Sequence, residues 1–138
     1  MSIRILKLPR YEVKVRRSRI GLGLFAQEPI PKDELIIEYV GLLLSNEMAD
    51  RIGGKFLFEI DEETVIDGSA RSNLARYINH SCRPNCETEV EGKRVFVYAK
   101  KNIKAGRELT INYGQQYFND FITEEGCQCA YHLSKRGQ

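Results

Sequence analysis

The chain has 138 residues, with 21 lysines and arginines against 19 aspartates and glutamates, and a formal net charge of +2. This length predicts one domain that can bury a core, and 42% hydrophobic with 29% charged residues is ordinary for a soluble globular protein. So small a charge is no argument for nucleic-acid binding, and no apolar run approaches the roughly 20 residues of a membrane span. Residues 1–10 carry scattered basic side chains and no continuous apolar segment, so we expect an intracellular protein without a signal peptide.

The first half of the chain alternates short apolar runs with turns that contain glycine or proline, the pattern of a β-rich domain. The tripeptide Gly21-Leu22-Gly23 predicts a turn whose backbone can approach another group closely. Ser45 or Asn46 can cap a short helix that Gly53-Gly54 would end. The predicted elements are a strand at 11–15, a turn at 21–23, a strand at 35–40 and a helix up to residue 51.

The second half adds more short strands and one or two helical turns. The sequence Glu91-Gly92-Lys93-Arg94 predicts a hairpin turn between Val90 and Val95, and Ser72 or Asn73 can cap the helical segment. The predicted elements are strands at 56–60, 64–66, 95–99 and 109–113 and a helical segment at 72–78. We therefore predict a mainly β single domain.

Two turns in the chain look alike. Residues 30–35 read Ile-Pro-Lys-Asp-Glu-Leu, and residues 103–109 read Ile-Lys-Ala-Gly-Arg-Glu-Leu. A single similar pair of segments is not enough to indicate a repeat architecture. We therefore interpret the similarity as the same turn sequence recurring before a strand.

Four cysteines fall in two close pairs, Cys82 with Cys86 and Cys127 with Cys129. Without a secretory signal we expect reduced thiols, and Cys-x-Cys is a poor spacing for a mutual disulfide. Metal ligation is therefore a hypothesis for these thiols. The second pair lies in residues 115–138, which show no strand alternation. We expect these residues to be a C-terminal tail that needs an additional interaction to be ordered.

Two polar segments far apart in the sequence contain residues that an ordinary core would not select. Residues 76–85 read Arg-Tyr-Ile-Asn-His-Ser-Cys-Arg-Pro-Asn, and residues 108–114 read Glu-Leu-Thr-Ile-Asn-Tyr-Gly. With Ile-Gly-Leu-Gly-Leu-Phe-Ala at 20–26 before them and Gly-Cys-Gln-Cys at 126–129 after them, they resemble, in the right order, the motifs of the SET-domain protein lysine methyltransferases. A lone Gly-x-Gly would be a weak signal, whereas the Asn-His-Ser-Cys stretch is highly specific. The resemblance covers roughly residues 11–132.

The resemblance implies the β-clip fold of SET domains, which is mainly β with brief helices and a knot-like C-terminal segment. In that fold the stretch around Asn79 and the strand that carries Tyr113 are threaded together. The implied organisation is a SET core at residues 11–114 and a post-SET-like tail at 115–138. The implied reaction uses S-adenosylmethionine as methyl donor and a lysine of a histone tail or another protein as acceptor.

Methyl transfer to lysine requires a neutral amine, and a free lysine with a pKa of about 10.4 needs about 4.6 kcal/mol to lose its proton at pH 7. A narrow apolar channel and the positive charge of the donor both lower that pKa, and what remains is alignment of amine, methyl and sulfur. No metal and no protein nucleophile are required. By the resemblance, Tyr113 is the catalytic residue, whose hydroxyl would hold the amine and interact with the developing charge at the methyl group.

The resemblance also implies which residues bind the cofactor. Asn79 and His80 would bind it through backbone and side-chain hydrogen bonds, and the glycine turn would lay backbone groups against it. Arg76 has either a structural role or a contact with the cofactor's carboxylate, and two phenylalanines, at 56 and 118, either contact the adenine or pack in the core. The predicted cofactor-binding residues are Gly21, Leu22, Gly23, Arg76, Tyr77, Asn79, His80 and Phe118.

Three further residues are predicted to line the lysine channel. Tyr39 and Tyr98 would wall it, with core packing as the alternative for each. Ile111 stands where the family often has tyrosine or phenylalanine, two residues before Tyr113. A tyrosine there adds a hydroxyl that crowds further methylation, so isoleucine predicts di- or trimethylation.

The tail departs from the family pattern at one position. A closed structural zinc site needs four nitrogen or sulfur ligands, and the family often draws three of them from Cys-x-Cys-x4-Cys in the tail. Here the last position is Ser134, and His132 nearby can replace it. The predicted zinc ligands are therefore Cys82, Cys127, Cys129 and His132, with an unmetallated tail as the alternative, and Cys86 is expected to be a small buried residue.

Two competing functions differ in class from this enzyme. One is a SET-like module that binds a peptide or cofactor and has lost catalysis, and the presence of Tyr113, Asn79 and His80 argues against it. The other is a small zinc-stapled β module without a cofactor, which gives no reason for Asn79-His80 or for the glycine turn. No motif of the chain indicates a target protein, a membrane partner or an oligomeric state.

Overall fold

The computed structural model describes residues 8–19, 21–54 and 56–112, and this part of the chain is mainly β, as the sequence predicts. It contains ten short strands, one α-helix and one 3₁₀ helix. The strands are β1 (Val13–Ser18), β2 (Gly21–Ala26), β3 (Leu35–Tyr39), β4 (Leu42–Ser45), β5 (Leu57–Glu59), β6 (Thr64–Asp67), β7 (Asn79–His80), β8 (Cys86–Glu91), β9 (Arg94–Ala99) and β10 (Thr110–Ile111). The α-helix α1 is Asn46–Ile52, and the 3₁₀ helix is Leu74–Tyr77.

These strands form four small sheets. The pair β1-β2 is an antiparallel hairpin, and two three-stranded antiparallel sheets have the orders β3-β9-β8 and β4-β6-β5. The fourth sheet pairs β7 with β10 in parallel, across roughly 30 residues of intervening chain. A parallel pair cannot be closed by a tight turn, so the chain must pass through the rest of the domain between the two strands.

The sheets enclose one hydrophobic core. Its side chains come from strands that are far apart in sequence, so no single sheet buries its apolar face alone. Each large aliphatic side chain that is fully removed from water contributes roughly 1.5–3 kcal/mol. The largest fully buried apolar residues are Leu24, Ile30, Ile36, Ile78, Val95, Val97 and Leu109.

Local sequence explains the predicted helix well. Ser45 is its N-cap, and the side chain of Ser45 accepts a hydrogen bond from the backbone NH of Met48 at 3.2 Å. The helix ends at Gly53, which has a φ of 65° that favours glycine and whose NH donates to the carbonyl of Ala49. Of the two caps that the sequence allows, the structure therefore uses Ser45.

The prediction of a turn at residues 21–23 was wrong. Gly21 opens β2, and its partner across the hairpin is Ser18, so the connection between the strands lies before the tripeptide. The φ of Gly21 is 120°, which favours glycine, and all three residues of the tripeptide are already paired with β1. Glycine spacing predicted a turn, but the tripeptide is the start of a strand.

The helical segment predicted at 72–78 as one or two turns has the shorter of the two lengths. It is one 3₁₀ turn, and Asn73 precedes it without a capping hydrogen bond from its side chain. That side chain instead accepts from the NH of Val40 and donates to the carbonyl of Gly68, so it joins two other segments within the core. The Asn73 carboxamide therefore forms hydrogen bonds to two other segments of the chain and does not form the helix cap that the sequence suggested.

The two turns that look alike in sequence are paired in space. Ile30 and Ile103 exchange both backbone hydrogen bonds, at 2.9 Å and 2.8 Å. The fourth residue of each turn, Asp33 and Gly106, has a positive φ, of 72° and 88°. Each of these residues also donates its NH to the carbonyl of a strand end, Ala99 and Ala26 respectively. The recurring turn chemistry predicted from the sequence is confirmed, and it joins the two halves of the domain symmetrically.

The structure adds strands that were not predicted, namely β2, β4, β7 and most of β8, and it shifts the bounds of the others by a few residues. In the described ranges, no helix is long and apolar enough to cross a membrane.

Candidate functional site

The two polar segments that the sequence singles out lie side by side. In the parallel pair, Asn79 is opposite Thr110 and His80 is opposite Ile111. The NH of Ser81 extends the pairing by donating to the carbonyl of Ile111 at 2.9 Å. The Asn79 stretch therefore pairs with the strand that leads to residue 113, and this pairing extends to Ile111.

The side chain of Asn79 connects this pair to a third motif. Its Nδ2 donates to the carbonyl of Leu22 at 2.9 Å and to Oε2 of Glu108 at 2.8 Å. A longer contact of 3.3 Å reaches Oγ of Ser18. Residues from β2, β7 and the segment before β10 therefore meet at one carboxamide, which no short-range pattern in the sequence would reveal.

Gly23 leaves space at this point, and the side chain of Glu108 approaches its backbone closely. A Cβ added at residue 23 would lie 2.3 Å from Oε2 of Glu108 and 3.2 Å from Nδ2 of Asn79. Glycine therefore makes room for the carboxylate. Leu22 beside it keeps 54% of its surface exposed, and the backbone of Gly21 has open space around it. The edge of β2 is thus accessible to a ligand directly next to Asn79.

His80 and Cys82 form a second contact in the same segment. His80 is buried, and its Nε2 lies 3.3 Å from Sγ of Cys82, which is half-buried. The two residues are two positions apart, so the bend after β7 turns both side chains to the same side. Of the predicted zinc ligands, Cys82 is the one that the structure describes.

Asn85 is a site residue that the sequence reasoning missed, although it ends the motif at 76–85. Its Oδ1 accepts from the NH of Thr110 at 2.8 Å, and its Nδ2 donates to the carbonyl of Glu108 at 2.8 Å. The backbone NH of Asn85 also donates to Oγ1 of Thr110 at 3.2 Å. The side chain pairs with the chain before β10 as a neighbouring strand would.

Arg76 and Tyr77 lie together on the 3₁₀ helix, and their surroundings favour packing. The Arg76 guanidinium stacks 4.2 Å from the centroid of the Phe56 ring and 5.0 Å from that of Tyr77, and it donates to the carbonyl of Ser69. Nε of Arg76 is buried without a hydrogen-bond partner in the described part of the chain. Of the two roles predicted for Arg76, the structural one is supported by these contacts. The contact of Arg76 with the cofactor's carboxylate stays a prediction.

Tyr39 and Tyr98 point to opposite faces of the β3-β9-β8 sheet. Tyr39 pairs with Val95, and Tyr98 is three residues further along β9, so the alternation of side chains separates them. Tyr39 is buried, and its hydroxyl donates to the carbonyl of Phe56 at 2.7 Å. Burial and then the carboxylates of Glu91 and Glu89 raise the pKa of Tyr98 above its ordinary value. The sheet does not bring these two predicted channel residues together, and their channel roles stay predictions.

Ile111 is 5% exposed and belongs to the hydrophobic core cluster beside His80. Its role in the lysine channel stays a prediction. The other predicted site residues lie outside the described residues, namely Tyr113, Phe118, Cys127, Cys129 and His132.

Among residues 8–19, 21–54 and 56–112, no three His, Cys, Asp or Glu side chains are grouped to hold a metal ion. Cys86 is buried, as predicted, and burial raises the pKa of its thiol to about 12. A thiol that stays protonated is a poor metal ligand, because ligation requires the thiolate.

Comparison with known proteins agrees with this geometry. Residues 21–114 match the family model described as SET domain. The chain is 42% identical, over 90% of its length, to the H3 lysine-4 specific histone-lysine N-methyltransferase of Yarrowia lipolytica, and it covers 12% of that protein. It is 39% identical, over 82% of its length, to histone-lysine N-methyltransferase SETD1A of Homo sapiens, and it covers 7% of that protein. The chain thus spans about a tenth of the length of the curated relatives it matches.

Solved structures show the same fold. The chain matches the crystal structure of the Chaetomium thermophilum polycomb repressive complex 2 with a TM-score of 0.72 and 34% identity, over 79% of this chain and 16% of that one. It matches a humanized mutant of that complex bound to the inhibitor GSK343 with a TM-score of 0.70 and 36% identity, over 77% of this chain and 15% of that one. The predicted fold is confirmed by these matches.

Proposed function

This chain belongs to the SET-domain family, and we propose that it transfers methyl groups from S-adenosylmethionine to the ε-amine of a lysine in a protein substrate. The observation that carries the proposal is the convergence of three motifs at Asn79, whose carboxamide joins the exposed edge of β2 to the Glu108 segment. A plain β domain or a zinc-stapled module needs no such junction. The names of the relatives, which are histone-lysine methyltransferases, support the same reaction.

The residues at this junction fit S-adenosylmethionine, which supplies an activated methyl group when it is bound. The adenine ring of its adenosyl part is planar and aromatic, and Leu22 offers a 54% exposed apolar side chain beside open backbone at Gly21. Its amino-acid arm carries an ammonium and a carboxylate. Asn79 has a carboxamide next to this edge, and Arg76 has a buried Nε without a partner among the described residues, a donor that a carboxylate can satisfy. We propose that these residues, with Gly23, Tyr77, His80 and Phe118, hold the cofactor.

We propose Tyr113 as the catalytic residue. It follows β10 by two residues, and the family match extends to residue 114 and includes it. Its phenol would orient the neutral lysine amine, and the apolar walls of the channel, among them Ile111, would exclude water and favour the uncharged amine. Tyr39 and Tyr98 are retained as candidates for those walls.

We propose a histone as the first substrate to test, because the relatives are named histone-lysine methyltransferases and several are named H3 lysine-4 specific. An intracellular and, for a histone, nuclear location follows from this proposal. The isoleucine at position 111 supports di- or trimethylation, since it has no hydroxyl that could hold a water against the amine.

We propose that residues 115–138 act as a post-SET-like tail pinned by one zinc ion on Cys82, Cys127, Cys129 and His132. Three sulfurs and one imidazole nitrogen form a donor set that suits tetrahedral Zn²⁺. A bound zinc would hold the tail over the active site and add aromatic side chains such as Phe121 or Tyr131 to the channel. Metal analysis of the purified protein should find about one zinc per chain, and Cys127→Ser should remove it. An active enzyme free of zinc would contradict this part of the proposal.

The function is tested by binding and by turnover. Calorimetry with S-adenosylmethionine tests the cofactor, and transfer of a radiolabelled methyl group to histones, to a cell extract and to the protein itself tests the reaction. Mass spectrometry then locates the methylated lysine, and the same substrate with that lysine replaced by arginine is the matched control for the site. Binding without transfer to any of these proteins would favour the inactive SET-like module instead.

A further inference from the structure

We propose that Glu108 is a positioning residue, which fixes the side-chain carboxamide of Asn79 so that its oxygen is presented to the ammonium group of the cofactor. This inference rests on the proposed use of S-adenosylmethionine. Glu108 is not among the residues that the sequence assigned to the site, although it begins the motif at 108–114.

The orientation of the Asn79 carboxamide follows from the chemistry of its neighbours. A carboxamide has two N–H donors on one side and an acceptor oxygen on the other. The carbonyl of Leu22 and the carboxylate of Glu108 can only accept, and both lie within 2.9 Å of Nδ2. Turning the carboxamide over would place its oxygen against two other oxygens, so only one orientation is compatible with this site.

Both amide hydrogens of Asn79 are therefore used within the protein, and Oδ1 makes no hydrogen bond to the described residues. An acceptor oxygen at the edge of the site selects a ligand group that donates. On the amino-acid arm of the cofactor that group is the ammonium, since the carboxylate only accepts.

The charge of Glu108 supports the same assignment. Glu108 is half-buried, and in the described part of the chain no lysine, arginine or histidine forms an ion pair with it. Its carboxylate accepts a hydrogen bond from the neutral Asn79, so no ion pair with a described residue compensates the negative charge beside the site. A cationic ligand group nearby is favoured electrostatically, and Glu108 contributes through charge as well as through the hydrogen bond.

The space for this arrangement is available because residue 23 is a glycine. The carboxylate occupies the space where a Cβ at residue 23 would lie, 2.3 Å from Oε2. The bridge between Phe25 and Glu108, together with the hydrogen bond from the NH of Leu109 to the carbonyl of Leu24, fixes the Glu108 backbone against β2. The carboxylate therefore reaches Asn79 from a fixed position.

The first test needs no ligand. In an NMR spectrum of the ¹⁵N-labelled protein, the two side-chain amide protons of Asn79 should be slow to exchange with water, because both are hydrogen-bonded. Glu108→Ala should shift these signals and accelerate exchange, whereas Glu108→Gln should keep most of the protection, because its Oε1 can still accept. Glu87→Ala, which removes an exposed carboxylate on β8, is the matched control and should leave both signals unchanged.

The second test separates positioning from general destabilisation. S-adenosylhomocysteine carries the amino-acid arm, whereas 5′-methylthioadenosine lacks it. Glu108→Ala should weaken binding of S-adenosylhomocysteine about tenfold and leave 5′-methylthioadenosine within about twofold, and Glu108→Gln should recover part of the loss, because it keeps the hydrogen bond to Asn79 and lacks the charge.

Three outcomes would overturn the inference. They are unchanged Asn79 signals in Glu108→Ala, an equal loss of affinity for both ligands, and a Glu108→Gln variant as weak as Glu108→Ala. If Glu108→Ala does not fold, Glu108→Gln alone decides. A positioning role of Glu108 predicts near-normal protection of the Asn79 amide protons in this variant, whereas a role that depends only on the charge of Glu108 predicts that the protection is lost. A wild-type protein that binds neither compound rejects the proposed function itself, which distinguishes the two failures.

Discussion

The side-chain carboxamide of Asn85 accepts a hydrogen bond from the backbone NH of Thr110 at 2.8 Å. Since the same carboxamide donates to the carbonyl of Glu108 at 2.8 Å, one side chain satisfies both backbone groups on either side of Leu109. Leu109 itself is fully buried. Asn85 therefore takes the place of a missing strand at the point where the chain enters β10.

We expect Asn85→Ala to destabilise the domain by about 2–4 kcal/mol, because it leaves two partly buried backbone groups unpaired. Denaturant unfolding measures the loss. Asn102→Ala is the matched control: Asn102 also accepts from a backbone NH, that of Lys32 at 2.9 Å, but at an exposed turn. Its loss should cost less than about 1 kcal/mol. Equal effects of the two variants would contradict the special role of Asn85.

The residue at position 111 should determine how many methyl groups are added. We expect Ile111→Tyr to shift the product towards monomethyl-lysine, because its hydroxyl can hold a water against the amine. Ile111→Phe has nearly the same bulk without the hydroxyl and should retain dimethylation. Since Ile111 is 5% exposed, each ring should also cost about 1–3 kcal/mol of stability. Mass spectrometry of exhaustively methylated substrate gives the distribution, and a wild-type product that stays monomethyl would reject the prediction.

The rate of methyl transfer should rise between pH 7 and pH 9, because the acceptor lysine, with a pKa of about 10.4 in water, must lose its proton first. A raised fraction of neutral amine at higher pH increases the rate by up to about tenfold per pH unit, until the lysine in the channel is fully deprotonated. Single-turnover measurements at saturating cofactor isolate the chemical step. A flat profile under those conditions would count against a mechanism that requires a neutral amine.

Much of the fold could be predicted from local sequence because its elements have local causes. The helix α1 has its Ser45 cap and its Gly53 end close together in the chain, and the hairpin at 91–94 closes through Gly92 at a φ of 64°. The strands that were missed have no such cause. The two-residue strand β7 exists because β10 lies beside it, and that partner is 31 residues away.

The site shows the same division. The motifs identified Asn79 and His80 correctly as neighbours of the strand that leads to Tyr113, because their residue types are unusual together. Glu108 and Asn85 were missed because glutamate and asparagine are common in loops. Only the structure shows that Glu108 is hydrogen-bonded to Asn79 and that Asn85 is hydrogen-bonded to the backbone of Thr110. Glycine spacing identified the right segment but the wrong element, since Gly23 lies in β2 beside the side chain of Glu108 and not in a turn.

Tyr113→Phe should reduce methyl transfer by about 100-fold or more, because it removes the only proposed hydroxyl that orients the amine. Calorimetry should find the affinity for S-adenosylmethionine within about threefold of the wild type, since the cofactor is bound by other residues. Tyr11→Phe is the control, because its hydroxyl donates to Glu34 at the surface of the domain. Normal transfer by Tyr113→Phe would remove this residue from the mechanism.

The cysteines of the 76–86 region should differ in their reactivity towards iodoacetamide. Burial raises the pKa of Cys86 to about 12, so its thiol stays protonated and shielded at pH 8, and we expect no labelling in the folded protein. Cys82 is half-buried, and as a proposed zinc ligand it should react slowly until a chelator removes the metal. Peptide mapping by mass spectrometry distinguishes the two sites. If Cys82 reacts equally fast with and without chelator, its thiol is not bound to a metal. If Cys86 reacts in the folded protein, its thiol is not buried, and this prediction fails.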